Sequence, residues 1–159
     1  MKIQLESIGI IHSPFTDLEK MPVQPKGAAD IEGAIELNPA YSAGIKDLEG
    51  FSHIFLIYFF HKAEKTSLSV IPFLDTVERG VFSTRSPLRP NHIGISIVQL
   101  VNIKDNVLSV KGIDVLDGTP LLDIKPYVEN FDSVKNSLSG WMKASEAEVA
   151  RMRSDDRFK

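Results

Sequence analysis

Apolar and polar residues alternate along much of this chain, the period of a strand with one face buried. In "IQLESIGIIHSPF", Ile3 and Leu5 alternate with polar neighbours, Ile8 and Ile10 resume the pattern, and Pro14 ends it. "GAIEL", from Gly33 to Leu37, is a second short strand. "FSHIFLIYFFH" is a continuous apolar run with aromatics, bounded by Gly50 and "KAEK", and its length and composition predict a strand buried on both faces. "LSVIPFLD" is β-like with a bend at Pro72, and "GVFSTRS" is β-like too. "IGISIVQLVNI" alternates, "KDN" turns and "VLSVKGIDVL" returns, which is a hairpin pattern; "LLDIKPYV" is a last strand. Helical spacing is confined to two places. Over Pro39–Leu48, Asn38 can cap, Pro39 suits the first helical position, Tyr41, Ile45 and Leu48 share a face, and Gly50 can stop it. The second lies near Trp141–Arg153. Many strands and few short helices predict a mainly β fold, an antiparallel barrel or sandwich. The expected organisation is one domain over 1–140, followed by a C-terminal helix and charged tail over 141–159.

Composition narrows the classes. A chain of 159 residues with 43% apolar and 25% charged content reads as a single globular domain with a real core. With no cysteine there is no disulfide frame and no thiolate chemistry, which fits a cytoplasmic protein. The start, "MKIQLESIGI", is neither signal peptide nor span, and the longest apolar run, Ile54–Phe60, is too short to cross a bilayer. No membrane partner is expected. Net charge is −3, against the basic surplus usual in dedicated nucleic-acid binders. Yet Arg79 to Lys104 contains no Asp or Glu, so one locally basic segment stands out.

Within that segment lies "STRSPLRPN". Pro87 and Pro90 exclude an ordinary helix between Arg85 and Arg89 and bias Ser86 and Arg89 to extended geometry. The stiffened loop presents two guanidiniums, suited to carboxylate or phosphate, beside the amide of Asn91. The competing interpretation is a loop tied down by its own arginine hydrogen bonds. In "DVLDGTPLLDIKPY", Asp117 and Gly118 suit a tight turn that Thr119 and Pro120 leave in extended geometry. "DGT" is not the aspartate-nucleophile phosphatase signature, because that pattern needs a carboxylate where Val115 stands. Past the turn, Asp123, Lys125 and Tyr127 share a strand face, either as a proton relay and substrate contact or as an exposed charge pair. His12, His53, His61 and His92 have no metal-ligand spacing, so no metal is expected; His61 beside Lys62 is better placed for ligand contact. Gln24 between two prolines in "MPVQPKG" can read a heterocycle. No G-x-G-x-x-G, P-loop, G-x-S-x-G or H-E-x-x-H motif occurs, so no Rossmann-type site is readable.

Four blocks in order, "IGIIHSPF", "LEGFSHIFLIYFFH", "GVFSTRSPLRPNHIGISIVQL" and "DGTPLLDIKPYV", resemble the TsaA-like, or TrmO, family of tRNA methyltransferases. The resemblance spans roughly Ile8 to Val128. It implies a small, non-Rossmann antiparallel β-barrel that binds S-adenosylmethionine near a homodimer interface. It implies methylation of N6 of threonylcarbamoyladenosine beside the tRNA anticodon. Carried over by motif, the implied cofactor contacts are Gln24, Pro25 and Lys26, then His61 and Lys62, Arg85, Ile95, and Asp117, Gly118, Thr119 and Pro120. Asp123 and Tyr127 become candidate bases, with Lys125 stabilising a developing anion, and Arg89 and Asn91 face RNA. Two positions depart from the family pattern: His92 replaces a proline and Val23 an arginine. Two other classes stay open, a small-molecule methyltransferase of the same fold and a non-catalytic S-adenosylmethionine-binding module.

Overall fold

The protein is described from a computed structural model, covering all residues except 19–20, 22–27, 74, 143–147, 149–150, 152 and 156–159. Six strands close an antiparallel barrel: β1 (Gly9–His12), β2 (Glu32–Leu37), β3 (His53–Phe59), β6 (Ile93–Lys104), β7 (Val107–Lys111) and β8 (Thr119–Pro126). They run β1-β2-β7-β6-β3-β8 around the barrel, and β8 pairs back onto β1. β4 (Ser69–Val70) and β5 (Arg79–Gly80) form a separate two-stranded ribbon. Closure leaves the main sheet no unpaired edge. The core is aliphatic, with Ile11, Ile35, Ile54, Leu56, Leu108, Ile113 and Leu121 wholly excluded from solvent.

The expected barrel and its β6–β7 hairpin are present, turned where Asp105 takes a left-handed φ of 55°. Other expectations need correction. β3 is not buried on both faces: Ile54, Leu56 and Tyr58 point inward, while Phe55, Ile57 and Phe59 line the outer wall. The apolar run concealed a period of two because its outer residues are apolar as well. Pro39–Leu48 is no α-helix but a 3-10 helix over Pro39–Ile45, followed by a short one at Leu48–Gly50. Asn38 does cap it, accepting the Ala40 N–H at 3.0 Å, but Gly44 weakens the helix and Asp47, with φ 66°, breaks it. Ile3 and Leu5 are exposed and precede the first strand. "GVFSTRS" turns into a 3-10 helix at Val81–Ser83. Most of the helix expected near Trp141–Arg153 lies outside the described residues.

Candidate functional site

A cavity of about 220 Å³ opens between the end of β3, the start of β6 and the loops above them. Its floor depends on Gly94. Opposite Gly94 in the sheet is Tyr58, whose ring lies over the missing side chain. A Cβ at position 94 would stand 2.6 Å from Tyr58 Cζ and 2.9 Å from Phe60 Cζ, closer than atoms pack. Glycine therefore lets both rings line the floor, edge to face at 5.4 Å. Around it the fold gathers His61, Lys62, Arg85, Arg89, Ile95 and Thr119, six of the residues singled out in the sequence.

The two arginines of the proline loop part company. Arg89 is half-buried, and its guanidinium donates to three backbone carbonyls: Ser86 at 2.9 Å, Val81 at 3.3 Å and Thr84. Thr84 Oγ1 also donates to Val81 O at 2.8 Å, and the buried Ser86 Oγ accepts from Leu88 N at 3.2 Å. Arg89 is thus the internal tie of the loop, its fork taken up by backbone carbonyls at the cavity wall. Arg85 is exposed on the cavity rim. Asn91, with φ 67°, lies outside the cavity lining.

The turn before β8 supplies the opposite wall. Gly118 takes φ 75°, which only glycine adopts without strain. Thr119 Oγ1 donates its one proton to Leu116 O at 2.7 Å. The 3.3 Å contact from His61 Nδ1 to the same oxygen therefore requires Nδ1 to donate, leaving Nε2 unprotonated. Burial, then the charge of Lys62, lowers the His61 pKa and so favours the neutral ring. Asp117 turns away from the cavity and accepts the Ser13 N–H at 3.0 Å.

Asp114 stands one place before Val115, where the phosphatase pattern would need its carboxylate. In the fold it lines the cavity floor. Ser96 Oγ donates to Asp114 Oδ1 at 2.7 Å, so the 3.1 Å contact between the Tyr58 and Ser96 hydroxyls runs from Tyr58 to Ser96. Burial pushes the Asp114 carboxyl up to about 6, against the opposing pull of Ser96, its own backbone N–H and Arg85. Burial raises the Tyr58 phenol, and the Asp114 charge raises it further. No local pattern could have shown this network, because its members come from β3, β6 and the β7–β8 loop. Trp141, which also lines the cavity, donates its indole N–H to Ser83 O at 2.8 Å and carries Arg79 over its ring at 5.5 Å.

Asp117, Gly118 and Pro120 form or flank the turn without lining the cavity. Asp123, Lys125 and Tyr127 are on the outer wall: Asp123 and Lys125 pair at 2.8 Å, and Tyr127 packs on Phe55 at 5.6 Å. Gln24, Pro25 and Lys26 lie outside the described residues. Among the described residues no cluster of side chains could hold a metal ion, and no helix is long and apolar enough to cross a membrane.

Residues 10–133 match the tRNA-methyltransferase O N-terminal domain. The chain belongs to the TrmO family. A probable S-adenosyl-L-methionine-binding protein of Pyrococcus abyssi is 51% identical over 95% of this chain and 82% of its own length. The tRNA (adenine(37)-N6)-methyltransferase of Homo sapiens is 37% identical over 82% of this chain, but this chain spans only 31% of it. The crystal structure of TrmO from Pseudomonas aeruginosa superposes with a TM-score of 0.75 at 38% identity, covering 89% of this chain and 63% of that one. The barrel is thus a TrmO barrel.

The cavity suits the cofactor that the TrmO resemblance implies. Tyr58, Phe60 and Ile95 offer apolar surface to a flat heterocycle. Lys62 and Arg85 on the rim suit a ligand carboxylate. The Asp114 carboxylate gives the floor a negative potential that favours a sulfonium.

Proposed function

We propose that this protein is an S-adenosylmethionine-dependent methyltransferase whose acceptor is N6 of threonylcarbamoyladenosine beside the tRNA anticodon. The observation that carries this reading is the convergence of His61, Lys62, Arg85, Ile95 and Thr119, from four separate segments, on one cavity. Its mixed lining supports a ligand with a heterocycle at one end and an amino acid at the other. Methyl transfer from a sulfonium is an in-line displacement, so a cavity that fixes donor and acceptor supplies much of the rate enhancement by positioning. Arg85 and Lys62 on the rim provide positive charge to RNA phosphate in a chain of net charge −3.

The working unit in this reading is a homodimer. Along the outer wall Phe59, Ile95 and Ile97 are 37%, 47% and 39% exposed, with Phe55 and Ile57 beside them. Register places Ile95 across from Ile57 and Ile97 across from Phe55, so the apolar surface is continuous. It reaches the cavity rim at Ile95, where a second copy packed on this wall covers the cofactor. Asp123, Lys125 and Tyr127 then belong to that interface.

The direct experiment incubates the protein with labelled S-adenosylmethionine and tRNA carrying unmethylated threonylcarbamoyladenosine, followed by nucleoside analysis. Label in the N6-methylated nucleoside supports the reading. Cofactor binding without label in tRNA refutes the acceptor, and absence of cofactor binding refutes the reading altogether.

A further inference from the structure

Asp114 is a half-buried, titratable carboxyl on the cavity floor whose only part so far is the negative potential it offers a sulfonium. We propose that Asp114, fixed by the Ser96–Tyr58 hydroxyl chain, is the general base that takes the proton from the amino nitrogen being methylated. This rests on the methyltransferase reading above and assigns one step of it.

The chemistry requires such a group. The lone pair of an adenosine N6 is delocalised into the ring, so alkylating the neutral nitrogen would create a poorly stabilised cation. Removing the N–H proton as the new bond forms avoids that cation. The balanced step is simple. Asp114 forms an O–H bond with the nitrogen's proton while the nitrogen forms a bond to the methyl carbon. The carbon–sulfur bond breaks, its electron pair stays on sulfur, and a neutral thioether leaves. Asp114 afterwards releases its proton to water.

Three features fit Asp114 for this work. Ser96 Oγ at 2.7 Å fixes one carboxylate oxygen, and Tyr58 at 3.1 Å fixes Ser96, so the acceptor is held by the barrel wall rather than by a loop alone. A carboxyl raised to about 6 is ionised at neutral pH, yet more basic than an exposed aspartate, as proton transfer demands. Its negative charge attracts the sulfonium, which places the base beside the reacting centre. The charged or titratable groups acting on it are Arg85 from the proline loop and Tyr58 from β3, while His61, Lys62, Arg89 and Asp155 share the cavity.

Neutral His61, with its Nε2 unprotonated, is the competing base. Asp114→Asn keeps the oxygen that accepts from Ser96 and removes the basic carboxylate. The test measures S-adenosylmethionine affinity by calorimetry and methyl transfer to tRNA from pH 5 to 8 for wild type, Asp114→Asn and His61→Asn. Wild-type kcat/KM is expected to rise tenfold per pH unit and level off above a midpoint near 6. Asp114→Asn is expected to weaken cofactor binding through the lost charge and, beyond that, to lose on the order of 100-fold or more in kcat at saturating cofactor and show no such limb. Three results would overturn the proposal: an unchanged rate in Asp114→Asn, a loss of cofactor affinity that accounts for the rate loss, or a limb that survives in Asp114→Asn and disappears in His61→Asn. Wild-type protein that binds cofactor but methylates no tRNA would instead count against the proposed acceptor, and protein that does neither would count against the whole functional reading.

Discussion

Replacing Arg89 with alanine should damage the fold before it damages anything else. The guanidinium holds Ser86, Val81 and Thr84 carbonyls together, so one side chain ties three points of the loop that walls the cavity. A hydrogen bond from a charged donor contributes roughly 1.5–3 kcal/mol. Three such bonds do not add fully, because Arg89 is only half-buried and water can reach some of the freed carbonyls. The expected loss is about 2–4 kcal/mol. For a chain of this length 1 kcal/mol shifts the melting temperature by about 3 °C, so the midpoint should fall by roughly 6–12 °C. Arg89→Lys should recover only part of this, since one ammonium cannot reproduce a planar fork. The assay is urea denaturation together with a melting curve, and cofactor titration under conditions where each variant is folded. S-adenosylmethionine affinity should weaken because the loop also carries Arg85. An Arg89→Ala protein with an unchanged midpoint and unchanged cofactor affinity, but with weakened and less salt-dependent tRNA binding, would falsify this role. It would mean that the guanidinium faces RNA phosphate.

Gly94→Ala should cost about 1–3 kcal/mol by overpacking against Tyr58 and Phe60, and it should weaken cofactor binding as well; a variant with wild-type stability in urea would show that the floor is loose. The Asp114 carboxyl holds a proton in the folded state up to about pH 6, while the unfolded chain releases it near 3.8, so its contribution to stability is full below 3.8 and is lost as pH rises through 6. That loss is up to about 3 kcal/mol. The Asp114→Asn protein should lack it and equal or exceed wild type in urea at pH 7.5, and a clearly less stable variant there would contradict the burial argument. Arg85→Ala should weaken S-adenosylmethionine binding roughly ten- to a hundredfold under conditions where the protein is folded, as a lost charge-assisted contact requires; unchanged affinity would remove Arg85 from the cofactor site.

The barrel was legible where alternation meets chemistry. β6 and β7 flank "KDN" as a hairpin, and the fold pairs them with Lys104 opposite Val107, though a register shift at Leu100–Asn102 interrupts β6 and its Ile95 and Ile97 face outward. The apolar run predicts β3 where it lies but not its one-sided burial, because Phe55, Ile57 and Phe59 are apolar on a face that is not core. The helix expected at Pro39 had a real cap at Asn38, but a left-handed Asp47 is set by chain path and carries no local signal. In the site, the family resemblance implies His61, Arg85, Ile95 and Thr119, all of which line the cavity. Strand alternation singles out Asp123 and Lys125, which share a face as expected but lie on the outer wall. Which face of β8 turns outward depends on a register shift opposite Ile57 and Tyr58, and no local pattern encodes it. Arg89 was visible as a guanidinium on a stiff loop, but its direction depends on three carbonyls brought near by Pro87 and the turn at Val81–Ser83. Asp114, Ser96 and Tyr58 meet only through barrel closure, so their network is a property of the tertiary fold.

The most direct measurement is calorimetric titration of S-adenosylmethionine into the wild-type protein and into Ala63→Trp, which fills the cavity from its partly buried wall. The expected result is one cofactor bound per chain by wild type and a loss of at least tenfold in affinity by Ala63→Trp, with Lys104→Ala, exposed at the far end of β6, retaining wild-type affinity as a control. Equal binding by wild type and a folded Ala63→Trp protein, or no binding by wild type, would contradict the assignment of this cavity as the cofactor site.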